Sequence, residues 1–161
     1  MTARPSLLIG TGALVLGTAG AALAAFAAHQ VSDRSGSESL REQALSAGRQ
    51  IAVDFSAYDY RHLHQDFSQV VSEATGSFKS QFATSSAGVQ DLIVKAKAVS
   101  TAEIASAGVV DAGPRSATVV VAVNRTISNT GVPKGQKDSF GLRITLRRID
   151  GRWLASDVKP L

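Results

Sequence analysis

The sequence predicts an α+β domain that follows an apolar N-terminal segment. Residues 39–96 carry apolar side chains at the three- and four-residue spacing of amphipathic helices, whereas residues 99–158 are rich in β-branched residues and are divided by turn signals. Helices that come first, followed by an antiparallel meander, indicate helices packed on one face of a sheet. We therefore expect about three helices on a curved four-stranded antiparallel sheet, in one domain of residues 39–161.

The N-terminal segment is long enough to cross a membrane. Residues 6–28 are 23 consecutive uncharged positions with five residues before them, and a helix needs about 20 apolar residues to span a bilayer. We predict a retained transmembrane anchor, with a cleaved signal peptide as the alternative. Because Arg4 is nearly balanced by Arg34 and Arg41, the Lys/Arg bias does not decide the orientation. The short tail of residues 1–5 favours a cytoplasmic N-terminus and a domain outside the cytoplasm.

Small residues recur four positions apart in the predicted anchor, at Gly17, Ala21 and Ala25. Such a row allows two helices to approach closely in lipid, so self-association through this face is one interpretation. Chance recurrence in an Ala/Gly-rich segment is the other. Residues 29–38 are polar and are interpreted as a linker between the anchor and the domain.

Three helical stretches follow the predicted linker. The first carries an apolar stripe from Leu40 to Tyr58. The second runs from Leu63 to Ala74 and stops at Thr75-Gly76, because glycine favours a helix end. The third runs from Phe78 to Ala96, with a possible break near Ala87-Gly88.

Four strands are expected in the C-terminal half. The third strand alternates most clearly, with apolar residues on one face and Arg143, Thr145 and Arg147 on the other. Asp150-Gly151 between two strand patterns predicts a type I′ hairpin, because both of its central residues need positive φ. The predicted strands are residues 99–110, 116–127, 140–149 and 152–158.

Composition excludes several kinds of function. The chain has no cysteine, which rules out disulfides, thiolate metal sites and cysteine nucleophiles. Its net charge of +4 conceals an asymmetry, since residues 29–114 are acidic and residues 115–161 are strongly basic. A basic half can contact nucleic acid, anionic lipid or an acidic partner. Its only aromatic residues, Phe140 and Trp153, fit a core better than a base-stacking surface, so no nucleic-acid partner is expected.

The order of these elements resembles the actinobacterial Mce-associated membrane proteins, which are accessory subunits of Mce lipid-import systems. The resemblance implies a cone-shaped domain like nuclear transport factor 2 and cystatin, outside the plasma membrane. It implies other Mce-system subunits as partners, and no cofactor. The same topology occurs in assembly domains of conjugation and type IV secretion machines. The likeness is carried by Phe55-Ser-Ala-Tyr-Asp-Tyr60, Asp66, Ala74-Thr-Gly-Ser-Phe78, Ala117-Thr-Val-Val-Val-Ala-Val123 and Arg147-Arg-Ile-Asp-Gly-Arg-Trp-Leu-Ala-Ser-Asp-Val158.

One segment contains the residue types of a metal or acid–base site, at Asp59-Tyr-Arg-His-Leu-His-Gln-Asp66. Its two histidines are two positions apart, so on a helix they would point away from each other and could not share one metal ion. An acid–base pair such as an aspartate with Tyr58 or Tyr60 would have to point into a cavity. The predicted inner face of the sheet is apolar, so we expect neither a metal site nor an enzyme.

Two residue sets remain as candidate binding residues. The basic residues of the last hairpin and of the connection before it are interpreted either as a solvated face or as a docking surface for a partner or anionic lipid: Arg143, Arg147, Arg148, Arg152, Lys134 and Lys137. The apolar residues of the inner sheet face would line a cavity if the cone is hollow: Phe140, Leu142, Ile144, Leu146 and Trp153.

These observations predict a non-catalytic, membrane-anchored scaffold subunit of an Mce-type lipid import system in the cell envelope. Two alternatives remain open. One is a lipid-carrying module that works through a hollow cone, and the other is an assembly subunit of a conjugation or type IV secretion-like machine.

Overall fold

The computed structural model describes the backbone of residues 16–161 and the side chains of residues 36–161. The chain divides into two units, Met1–Gly36 and Ser37–Leu161. Three helices and five strands follow one another along the chain: α1 (Leu16–Ser56), β1 (Tyr58–Asp59), α2 (Leu63–Ser72), α3 (Gly76–Ala96), β2 (Val99–Ala112), β3 (Ser116–Ser128), β4 (Gln136–Ile149) and β5 (Arg152–Pro160).

The predicted anchor over residues 6–28 lies outside the residues whose side chains are described. Across the described part of the chain, no helix is at once long and apolar enough for a membrane crossing. The backbone of residues 29–38 is helical and forms part of α1. A polar segment with one glycine and no proline is compatible with a helix, and polarity alone therefore does not mark a linker. The boundary between the two units nevertheless falls inside it, at Gly36.

The second helix ends at Ser72, two residues earlier than predicted, and the third helix begins at Gly76. Gly76 has φ +60°, so the chain turns there before it enters α3. From this point α3 runs without interruption through Ala87-Gly88 to Ala96 and ends where Lys97 adopts the left-handed conformation. The suggested break at Ala87-Gly88 is therefore wrong, since a single glycine within a 21-residue helix is tolerated.

The sheet is a curled antiparallel meander in the order β1-β2-β3-β4-β5. The four predicted strands are confirmed, each slightly longer than expected. The two residues of β1 add a fifth strand by pairing with Val99 and Ser100, and a strand this short leaves no alternating pattern to detect. Asp150 and Gly151 both have positive φ, which confirms the predicted hairpin turn.

The core lies between the concave face of the sheet and the helices. Ala44, Ile51 and Ala52 of α1 are buried against residues of β3 and β4. Gly48 allows this close packing, because an added Cβ would meet the Cβ of Val119 at 2.9 Å. The helix face is thus built from small residues that bring α1 onto the sheet.

The free edge of β5 is partly covered by the segment that joins α2 to α3. Ala74 forms a parallel bridge with Ala155. The Thr75 N–H donates to the Ala155 carbonyl (2.8 Å), and the Ala155 N–H donates to the Glu73 carbonyl (2.7 Å). This pairing protects the edge strand and holds the start of α3 against the last hairpin.

Candidate functional site

Four of the six predicted basic residues lie at or near opposite ends of β4. Lys134 and Lys137 lie at its beginning, whereas Arg147 and Arg148 lie at its end. Arg147 follows Lys137 by ten positions, which correspond to roughly 33 Å of extended strand. The lysines and the arginines therefore belong to two separate surfaces. The arginines at the end of β4 share a concavity with a third arginine.

Three arginines converge beside the last hairpin. Arg115 precedes β3, and its carbonyl accepts a hydrogen bond from the Arg148 N–H (2.9 Å). Arg147 is paired across the strands with Ser116, the residue that follows Arg115. The three arginines line an open concavity of about 560 Å³, together with Thr75, Gly76, Ser77, Ile149 and Ser156. We call this concavity the basic pocket.

The guanidinium groups of the basic pocket lack acidic partners. Within residues 36–161, no carboxylate forms an ion pair with Arg115, Arg147 or Arg148. The Arg148 side chain instead lies against Trp153, with its Cζ 6.0 Å from the ring centroid. Asp157, which follows the pocket residue Ser156, is paired with Lys159 (2.8 Å). The positive charge of the pocket is therefore available to an external anion.

Arg115 was not among the predicted binding residues. In the sequence it is a lone arginine after the turn Asp111-Ala-Gly-Pro114, far from the basic hairpin. The signal that could have found it is the strand pairing. In an antiparallel meander, the residue just before β3 lies opposite the end of β4, where Arg147 and Arg148 were already singled out.

A second basic feature is the convex face of the sheet. Arg143 and Arg147 are exposed there, on the side opposite the buried Leu142, Ile144 and Leu146. Arg143 is directly opposite Lys159 of β5. We call Arg143, Arg147 and Lys159 the convex basic face. Arg152, also exposed, lies at the start of β5.

The lysine group lies in a different environment. Next to the exposed Lys137, Arg125 and Asp138 form an ion pair, with Arg125 Nε 3.0 Å from Asp138 Oδ1. Arg125 also lies over the ring of Phe140, at 4.7 Å from its centroid. In the connection that carries Lys134, the Asn129 side chain accepts hydrogen bonds from the Gly131 and Val132 N–H groups. The connection is thus organised by its own turn.

The two aspartates at the start of α2 and just before it form hydrogen bonds within the chain. Asp66 accepts a hydrogen bond from the Asp59 N–H (2.8 Å), and Asp59 binds the Arg61 side chain (2.9 Å from Nε to Oδ1). The hydrogen bonds from Arg61 lower the pKa of Asp59 to about 2. Such a carboxylate is a weak general base at neutral pH. In the part of the chain that the structure describes, no three His, Cys, Asp or Glu residues are placed to hold a metal ion.

Glu73 has a raised pKa, in contrast to the lowered pKa of Asp59. Burial, and then the proximity of Asp54 on α1, raise the pKa of Glu73 to about 7. Glu73 Oε1 accepts a hydrogen bond from Gln69 (2.8 Å), while Oε2 is buried without a partner. Arg152 of β5 opposes the rise in pKa. These contacts indicate a structural carboxyl group that is protonated more readily than an exposed glutamate.

The predicted cavity residues belong to the packed core. Ile144 and Leu146 are fully buried, and Leu142 and Trp153 are nearly so. Phe140 is partly buried and packs against the same core. A role for these five side chains in lining a ligand cavity stays a prediction.

An apolar groove opens instead between the helices and the end of β5. Its volume is about 370 Å³, and Phe55, Phe67, Phe78 and Phe82 contribute most of its apolar wall. Neighbouring ring centroids are 5.8–6.2 Å apart. We call this groove the phenylalanine groove.

Three solved structures share this fold. A periplasmic fragment of TraM matches with a TM-score of 0.61 and 16% identity, covering 74% of this chain and 95% of the fragment. An IcmL-like type IV secretion system protein from Legionella pneumophila gives 0.62 and 11%, covering 75% and 91%. The periplasmic domain of DotI gives 0.57 and 12%, covering 73% and 91%. At these identities the similarity establishes the fold alone.

Sequence relatives come from Mycobacterium tuberculosis. The chain is 23% identical to the uncharacterized protein Rv1363c over 120 residues, which are 74% of this chain and 46% of that protein. It is 26% identical to the uncharacterized protein Rv1362c over 119 residues, which are 73% and 54%. The chain thus matches about half the length of these curated relatives. A family model described as "Uncharacterized protein Rv1363c/MT1408-like" matches residues 5–160, nearly the whole chain. The chain therefore belongs to the Rv1363c/MT1408-like family.

Proposed function

We propose that this chain is a non-catalytic accessory subunit of a multi-component assembly in the cell envelope, with its α+β domain outside the cytoplasm. The structural neighbours support the proposal, since two are periplasmic and one is a type IV secretion system protein. The domain would act by occupying a fixed place in the assembly, and its surface would contact the other subunits.

The main support for a docking role is the convex basic face. Arg143 and Lys159 are directly opposite each other on neighbouring strands, and Lys159 is already paired with Asp157. Among the described residues, Arg143 and Arg147 have no carboxylate in ion-pair distance. An acidic surface on a partner subunit would pair with these two guanidinium groups and would set the orientation of docking.

The membrane anchor is part of the proposal. A single-pass helix over residues 6–28 would hold the chain in the plasma membrane with a cytoplasmic N-terminus. Gly17, Ala21 and Ala25 would provide a face for pairing with another helix.

We propose an Mce-type lipid importer as the assembly, on the basis of the sequence resemblance to Mce-associated membrane proteins. The actinobacterial source of the relatives agrees with this assignment. A secretion-type machine is the second candidate, and the observation that favours it is the fold shared with the IcmL-like protein. Other subunits of the assembly are the expected partners in both cases.

A lipid-carrying role would use the phenylalanine groove. The inner sheet face is occupied by packed side chains such as Ile144 and Leu146. The groove is within the usual size range of small-molecule sites and is lined by aromatic rings. A hollow cone lined by Phe140, Leu142 and Trp153 is therefore a weaker place for lipid than the groove.

The experiment that tests the proposal is affinity purification of the tagged full chain, extracted from native-host membranes with mild detergent and analysed by mass spectrometry. Recovery of a lipid permease, its ATPase and Mce-domain subunits would support the importer. Recovery of secretion subunits would replace it with the second candidate. Recovery of the chain alone, with or without bound lipid, would contradict the scaffold role.

A further inference from the structure

We propose that the basic pocket is a binding site for a phosphate group. The site is formed by Arg115, Arg147 and Arg148, which the pairing of β3 with β4 brings to one concavity. This inference goes beyond the proposed function. Arg147 belongs to both surfaces, but Arg115 and Arg148 are not part of the convex basic face, so Arg115→Gln tests the pocket alone.

The basic pocket has positive charge that is not neutralised locally. Three arginines line one open concavity, and within the described chain none of them is paired with a carboxylate. Their mutual repulsion persists in the free protein and is relieved when an anion binds. A dianionic phosphate relieves more of it than chloride does.

The residues of the pocket suit a phosphate better than a spherical anion. Guanidinium groups bind phosphate oxygens through two parallel N–H donors, which a spherical anion cannot use. The backbone hydrogen bond between Arg148 and Arg115 fixes the spacing of their two backbones. Thr75 and Ser77 also line the pocket and offer hydroxyl donors, whereas the Ser156 hydroxyl donates to the Thr145 carbonyl (3.1 Å).

Backbone pairing positions the residues of the pocket. The strand bridge between Ala74 and Ala155 holds Thr75 and Gly76 next to the last hairpin. The backbone around the pocket is therefore already in place before a ligand binds, which lowers the entropic cost of binding. The beginning of α3 adds to the positive potential, although the arginines carry the proposal.

The chain contains a reporter for this site. Trp153 is the only tryptophan, and the Arg148 Cζ lies 6.0 Å from its ring centroid. Movement of the Arg148 guanidinium toward a bound phosphate would change the fluorescence of Trp153. The full chain in non-ionic detergent can therefore be titrated without a label.

The experiment titrates the full chain with inorganic phosphate at constant ionic strength, with chloride as the balancing anion. A parallel titration uses micelles that contain phosphatidic acid, with phosphatidylcholine micelles as the reference. We expect a saturable change in Trp153 fluorescence. Arg115→Gln and Arg147→Gln should each weaken binding roughly tenfold, because each removes a charged hydrogen-bond donor. Arg143→Gln, on the same strand but outside the pocket, should leave binding unchanged.

The two titrations distinguish the sources of the phosphate. A response to inorganic phosphate supports a site for a soluble phosphate compound, and a response only to phosphatidic acid supports a lipid head-group site. An equal loss in Arg143→Gln, an equal response to chloride, or tighter binding of a polyglutamate peptide would overturn the proposal. Because all three substitutions are at exposed or half-exposed positions, circular dichroism should confirm an unchanged fold.

Discussion

Gly48 of α1 packs so closely against Val119 of β3 that an added Cβ would lie 2.9 Å from the Val119 Cβ and Cγ1 atoms. Val119 is fully buried at the centre of the sheet. The contact between Gly48 and Val119 therefore limits how closely α1 can approach the sheet. Ala44 and Ala52, one turn away on either side, maintain the same close approach.

We predict that Gly48→Ala destabilises the domain by about 1–3 kcal/mol, because overpacking a buried contact forces α1 away from the sheet. Gly88→Ala is the matched control. Gly88 lies in α3 with no atom within 4 Å of a built Cβ, so alanine there should stabilise the helix by about 0.5–1 kcal/mol. Urea unfolding followed by circular dichroism measures both changes. Equal effects at the two sites would contradict the packing argument.

Ser100 should contribute to stability through a buried hydrogen bond. Its hydroxyl donates to the Ser56 carbonyl at the end of α1 (2.7 Å), and the residue is buried. We expect Ser100→Ala to lower the free energy of unfolding by about 1–3 kcal/mol, because the carbonyl loses its partner away from water. Ser80→Ala, at an exposed position of α3, should change it by less than about 0.5 kcal/mol. A smaller loss at Ser100 than at Ser80 would refute this assignment.

Glu73 should make the domain less stable as pH rises from about 4.5 to about 7. Its pKa in the folded state is raised to about 7, first by burial and then by Asp54. The folded protein therefore binds more protons than the unfolded chain in this window, so the free energy of unfolding falls with increasing pH. Gln69 and Arg152 moderate the effect.

Glu73→Gln removes this titration and should flatten the pH dependence of the unfolding midpoint between pH 4.5 and 7. It should also make the domain more stable than the wild type above pH 7. Glu103→Gln, at an exposed position of β2, is the control and should keep the wild-type slope. A wild-type slope in Glu73→Gln would exclude this carboxyl group as the cause.

We predict that the chain stays with the membrane after alkaline carbonate extraction. A C-terminal tag should be digested by protease added to spheroplasts, whereas an N-terminal tag should be protected. This result follows from a retained anchor over residues 6–28 and a domain outside the cytoplasm. Release by carbonate, or a mature N-terminus close to residue 29, would instead favour the cleaved signal peptide.

The sequence was most informative where local chemistry decides the structure. Asp150-Gly151 specifies its turn because both residues must adopt positive φ. The alternation in β4 assigned Leu142, Ile144 and Leu146 to the core face, and all three are buried.

Features that depend on distant contacts could not be predicted. The two-residue strand β1 exists only through its pairing with Val99 and Ser100. Arg115 joins Arg147 and Arg148 only when β3 pairs with β4. The sequence pattern of the phenylalanines in the three helices predicts that they are buried in a core. In the structure, these side chains instead line a groove between the helices.

Site-specific photo-crosslinking in the native host tests most directly whether the domain docks through its convex basic face. A photoreactive amino acid would replace Arg143 or Thr145 on that face, and Lys95 on the exposed side of α3 as the control. The account predicts a defined adduct with another envelope subunit from the two sheet positions and none from position 95. Absence of any adduct at 143 and 145, while position 95 crosslinks, would contradict it.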